Sequence, residues 1–93
     1  SVFMAKVEIY TKAYCPFCSR ALAVLGHKAT VFSSLEVEEY SIDTNKELRE
    51  KMIARSNGGY TVPQIFINDV HVGGCDQLIE LEINKKLDAL LAE

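Results

Sequence analysis

A chain of 93 residues has room for one hydrophobic core and hence for a single domain, 1–93, and its 48% hydrophobic and 25% charged content excludes long disorder. The net charge of -3 excludes the dense basic face that nucleic-acid binding requires, and no apolar run is long enough to span a bilayer. Three cysteines, an odd number, do not make an extracellular disulfide framework and point to a reducing, cytoplasmic setting in which thiols are kept for chemistry.

Met4 reads as the natural start, with Ser1 to Phe3 added ahead of it, and these residues lack the charged leader and cleavage site of a secretory signal. Lys6 to Thr11 alternates Val7 and Ile9 against charged or polar neighbours and predicts a first strand. A Cys15-Pro16-Phe17-Cys18 motif follows, and Pro16 suits the first position of a helix, where its missing N–H is not needed. Phe17, Ala21, Val24 and Leu25 give that helix an apolar stripe, which Gly26 is expected to end. His27, near that end, is expected to interact with the last carbonyls.

From His27 to Glu36 the pattern is lost, and residues 37–42 predict a second strand of ambiguous phase. Thr44-Asn45-Lys46-Glu47 fits a capping box, so a helix is expected from Asn45 to about Arg55 with Leu48, Met52 and Ile53 on its buried face. Asn57-Gly58-Gly59 breaks the chain before Thr61-Val62-Pro63 and the short apolar run Gln64–Ile67, which predicts a buried strand. Asn68-Asp69 suits a tight turn, residues 70–72 the return strand of a hairpin, and Gly73-Gly74 its end. Leu78, Ile79, Ile83, Leu87, Leu90 and Leu91 then repeat at helical spacing, with Asn84 a point of division. Strand, helix, strand, helix, hairpin and helix make an α/β fold with a right-handed crossover between the first two strands.

The chemistry concentrates at Cys15 and Cys18. A helix N-terminus offers N–H groups and partial positive charge to a thiolate, and in such settings a cysteine pKa falls from about 8.5 to roughly 3.5–7.5. Lys12 adds a positive charge three residues earlier. Cys15, nearer the helix end, is the expected attacking thiol, and Cys18 the thiol that resolves the resulting mixed disulfide, in a cycle that needs no metal. The same two cysteines with His71 and Cys75 would also supply the ligand types of a zinc site, although Pro16 opening a helix after a strand is a redox context.

Tyr10-Thr11-Lys12 before Cys15-Pro16-Phe17-Cys18, then Thr61-Val62-Pro63, then Gly73-Gly74-Cys75-Asp76, resemble over nearly the whole chain a dithiol glutaredoxin of the small bacterial kind. The resemblance implies a thioredoxin-like fold, a four-stranded mixed sheet flanked by helices, with Pro63 in cis facing the cysteines. It implies glutathione as co-substrate and no permanently bound cofactor. Lys12 and Arg49 would meet the glycine carboxylate of glutathione, and Thr61, Val62 and Pro63 would present backbone to its cysteinyl unit. Gly74, Cys75 and Asp76 would hold the γ-glutamyl end, while Tyr14 and Phe17 would shape the walls. For Arg49 the alternative is a solvated charged helix face, for Asp76 a capping residue, for Tyr14 simple packing.

Two features depart from the pattern: residues 28–36 read as a longer connection than usual, and Cys75 is either an inert small residue or a site of glutathionylation. The resemblance further implies glutathionylated or disulfide-bonded proteins as partners, ribonucleotide reductase among them, and a monomer. An iron–sulfur carrier and a redoxin recharged by a flavoprotein stand as alternatives. Pro16 and the second cysteine oppose the first, and Lys12, Arg49 and Asp76 discriminate the second.

Overall fold

The computed structural model describes residues 5–92, so the expected start at Met4 lies outside the described residues. Eight elements follow in order: β1 (Lys6–Thr11), α1 (Pro16–Val31), β2 (Glu36–Ser41), α2 (Lys46–Arg55), β3 (Gln64–Ile67), β4 (Val70–Gly73), α3 (Cys75–Ile83) and α4 (Leu87–Leu91). The strands form one sheet in the order β2-β1-β3-β4. β1 runs parallel to β2 and antiparallel to β3, which pairs antiparallel with β4, so the sheet is mixed as the resemblance implies. Asn68 and Asp69, both left-handed at φ 50 and 67, turn the hairpin, a conformation short polar side chains tolerate.

The period of two along β1 sends Val7 and Ile9 to one side, where they pack with Ala21 and Leu25 of α1, Ile65 and Ile67 of β3, Leu78 of α3, and Leu87 and Leu91 of α4. Tyr10 on the opposite side joins Ile42, Met52 and Phe66 under α2. Both faces are therefore covered, and Glu8, which belongs to the polar half of the alternation, is buried. It is accommodated because Arg55, at the end of α2, donates to both its carboxylate oxygens, Nη1 to Oε2 at 3.1 Å and Nη2 to Oε1 at 2.9 Å. The same guanidinium donates to Tyr10 Oη at 2.9 Å and lies 4.0 Å from the centroid of Phe66.

Five expectations are corrected. Gly26 does not end α1, which continues to Val31, because Gly26 faces open space while the next inward position is Lys28. The buried Lys28 stem carries its ammonium to Glu82 at 2.7 Å and Asp88 at 2.6 Å, joining α1 to α3 and α4. Residues 28–31 are thus helix and not a long loop, and His27 is an exposed residue inside α1 whose carbonyl accepts from Thr30 Oγ1. The cap of α2 is Asn45, not Thr44: Asn45 Oδ1 accepts the Leu48 N–H at 3.0 Å, and Lys46 is the first helical residue. Phe17 stands outside the buried stripe of α1, which consists of Cys18, Ala21, Leu25 and Lys28.

The second strand falls one residue earlier than expected, at Glu36–Ser41, and Asn84 is the C-cap that separates α3 from α4. Met52 is the buried residue of α2, with Leu48 and Ile53 packed partly against the same cluster.

The Arg55 pair holds the Glu8 carboxyl below the ordinary carboxylate range, and the Tyr40 hydroxyl adds a second hydrogen bond. A depressed folded pKa stabilises above the unfolded value and is lost as pH falls through the folded one. Arg55→Met is expected to cost about 3 kcal/mol at pH 7 by leaving Glu8 buried without its partner. Urea unfolding should show that the gap between wild type and Arg55→Met narrows on acidification below the carboxylate range, as Glu8 becomes protonated in both.

Candidate active site

The chain leaves β1 at Thr11, crosses Lys12 to Tyr14, and enters α1 through Cys15, whose extended backbone (φ -114, ψ 101) makes it the N-cap. Cys15 Sγ accepts the Cys18 N–H at 3.1 Å, and Cys15 O accepts the Ser19 N–H at 3.0 Å. Sulfur thus stands where a capping oxygen would stand, at the positive end of a 16-residue helix with no acidic residue in its first turn. Cys18 is buried, Cys15 only half-buried, and the two are paired as a disulfide with Cα atoms 5.2 Å apart.

A cleft of about 140 Å³ is walled by Phe17, which stands between the two cysteines in the chain, by Thr61, Val62 and Pro63, and by Gly74, Cys75, Asp76 and Gln77. The Val62–Pro63 bond is cis, as the resemblance implies. Gly74 caps α3 with its backbone and has no side chain, so nothing from that position covers the first-turn N–H groups of Cys75 and Asp76 at the cleft wall. Seven of the residues expected at the site therefore come together in one wall: Phe17, Thr61, Val62, Pro63, Gly74, Cys75 and Asp76.

Lys12, Tyr14 and Arg49 are not in that wall. Tyr14 is fully exposed, has φ 55 and is not among the residues that line the cleft. Arg49 is exposed on α2, and Lys12 is exposed on the loop; among the described residues neither forms an ion pair. His71 sits on β4, where Nε2 lies 2.7 Å from Gln64 Oε1 and its ring packs on Phe66.

Gln77 is the wall residue that the sequence reading omits. Its Oε1 accepts the Gly74 N–H at 2.8 Å, the backward half of a capping box, and glutamine three residues after a glycine at a helix start is the signal that points to it.

The family model described as Glutaredoxin matches residues 7–72. A probable glutaredoxin of Synechocystis sp. is 53% identical over 87 residues, 94% of this chain and 93% of the relative. Glutaredoxin 3 of Escherichia coli K12 is 52% identical over 88 residues, 95% and 99% of the two chains. The solution structure of glutaredoxin from Brucella melitensis superposes with a TM-score of 0.76 at 47% identity, covering 96% of this chain and 90% of that one.

Burial pushes the Cys75 thiol up, with the neighbouring Asp76 carboxylate acting in the same direction and Arg20 against it. A raised thiol pKa and 4% exposure both disfavour a reactive thiolate at Cys75. Iodoacetamide at pH 7 on the fully reduced protein, followed by mass spectrometry, should label Cys15 first and leave Cys75 unmodified until the chain is unfolded.

Proposed function

The chain belongs to the glutaredoxin family and is thereby a glutathione-dependent thiol–disulfide oxidoreductase, and from this premise we propose that Cys15 is its attacking thiol and Cys18 its resolving thiol. The observation that carries the assignment is the asymmetry of the pair. Cys15 caps α1 with its sulfur at a first-turn N–H and is half-exposed, while Cys18 is buried one turn in. A thiolate gains from the helix terminus, and only the exposed sulfur can meet a second disulfide.

In the reduced enzyme the Cys15 thiolate attacks the glutathione sulfur of a mixed disulfide. The protein thiolate leaves and takes a proton, and Cys15 becomes linked to glutathione. A second glutathione thiolate then attacks that sulfur, releasing glutathione disulfide and restoring the Cys15 thiolate. With a protein disulfide as substrate, Cys18 instead displaces the substrate thiol, leaving the Cys15–Cys18 disulfide, which two glutathione molecules reduce.

The cleft supports the placement of glutathione. Val62, before the cis bond to Pro63, offers backbone for the cysteinyl unit to pair with in the manner of an added strand. The N–H groups that open α3 suit the γ-glutamyl carboxylate, and the Asp76 carboxylate suits its ammonium. Lys12 and Arg49, exposed and free of ion pairs among the described residues, are proposed for the glycine carboxylate at the rim. Phe17 supplies an apolar wall, half-exposed and ready to be covered. Gly74, Thr61 and Cys75 contribute shape.

In this proposal the chain acts as one domain and a monomer, in a reducing cytoplasmic setting, with no cofactor held permanently. Glutathionylated proteins are the substrates, with ribonucleotide reductase a disulfide substrate carried over from the family resemblance. Among the described residues no helix is long and apolar enough to cross a membrane.

Glutathione-dependent reduction of a small glutathione mixed disulfide is expected to be lost in Cys15→Ser and kept in Cys18→Ser, because glutathione itself resolves the intermediate. Activity surviving Cys15→Ser would overturn the assignment. Arg49→Ala should raise KM for the mixed disulfide and leave kcat close to wild type. The equilibrium with glutathione should place the potential of the pair in the glutaredoxin range of about -200 to -230 mV.

A further inference from the structure

We propose that Asp43 is a positioning residue for this reaction, its carboxylate fixing the Lys12–Tyr14 loop and with it the placement of Lys12 and Cys15. The proposal rests on the roles given above to those two residues and adds a group outside the cleft that governs them.

β1 and β2 run parallel with Thr11 opposite Ser41, so both strands end at the same edge of the sheet. The pairing continues one step further, through the Ile42 N–H to Thr11 O at 2.9 Å, and then stops. Beyond that point Asp43 takes over: its Oδ2 accepts the Ala13 N–H at 2.8 Å and the Ser41 hydroxyl at 3.2 Å. Among the described residues the bond to Asp43 is the only hydrogen bond made by the backbone of Lys12, Ala13 and Tyr14.

The loop has little else to hold it. All three of its residues are exposed, and Tyr14 adopts a left-handed conformation that residues with a Cβ seldom take. A carboxylate acceptor makes this one bond charge-assisted and stronger than a neutral pair, and the Ser41 hydroxyl orients it. Asp43 forms no ion pair with Lys12, so the anchor leaves the ammonium for a ligand carboxylate. Cys15 is two residues past the anchored amide, and reacting groups are sensitive to displacements of about 1 Å.

Asp43→Ala removes the acceptor, whereas Asp43→Asn removes the charge and keeps an amide oxygen in its place. Three quantities separate the readings: kcat/KM for a small glutathione mixed disulfide, the alkylation rate of Cys15 by iodoacetamide in the reduced protein, and hydrogen exchange at the Ala13 amide. Asp43→Ala is expected to lose about ten-fold in kcat/KM, to slow Cys15 alkylation and to expose the Ala13 amide, with Asp43→Asn restoring all three to within about three-fold of wild type. Wild-type kcat/KM and alkylation in Asp43→Ala, despite an exposed Ala13 amide, would overturn the proposal. So would Asp43→Asn falling as far as Asp43→Ala with the Ala13 amide still protected, since charge and not anchorage would then be the cause. Cys15→Ser, assayed alongside, tells a failure of the assigned nucleophile from a failure of the anchor, and the Cys15 alkylation rate in otherwise wild-type protein judges the anchor in either case.

Discussion

Both faces of β1 must be covered, and the architecture is arranged around that demand. Val7 and Ile9 bring α1, α3 and α4 to one face; Tyr10, with Phe66 from the neighbouring strand, brings α2 to the other. With β2 and β3 paired along its two edges, β1 has a single outlet at its carboxyl end, the point from which the chain turns into α1. Cys15, the first cysteine of the pair and the proposed attacking thiol, is the N-cap at that turn. Its location is a consequence of how the central strand is buried.

The two ionic clusters serve the same end from opposite faces. On the α2 side, Arg55 lets a carboxylate, Glu8, occupy an inward position of β1 and ties in the hydroxyl of Tyr10. On the α1 side, Lys28 takes up the role of an apolar residue along its stem while its ammonium gathers Glu82 and Asp88 from the two last helices. Each cluster joins elements distant in sequence. A rigid support of this kind keeps the N-terminus of α1, Pro63 and the start of α3 in fixed relation, as a cleft built from three separate segments requires.

Within that frame the site divides its labour by exposure. Cys18 and Cys75 are buried, Cys15 is half-exposed, and Phe17 presents an apolar surface next to it. Lys12, Arg49 and Asp76, the side chains proposed to meet the charges of glutathione, are exposed, which leaves their charges open to a ligand in water. Gln77 closes the Gly74 N–H with a neutral oxygen and adds no charge to the α3 terminus.

The element order, the hairpin, the helix start at Pro16 and the reactive pair are legible in the sequence because each rests on local chemistry: alternation, turn residues, proline at N1 and spacing within one helical turn. The family resemblance brought the cis bond at Pro63 and the wall formed by Thr61 to Pro63 and Gly74 to Asp76. What tertiary structure alone decided lies where a partner is far away in the chain. Gly26 looks like a stop until Lys28, two residues on, finds Glu82 and Asp88; Glu8 looks like a solvent residue until Arg55 folds over it. Asp43 likewise has no visible task until parallel pairing brings it to Ala13. Periodicity reports what one segment must bury, and it carries no information about which distant charge or carboxylate arrives to complete it.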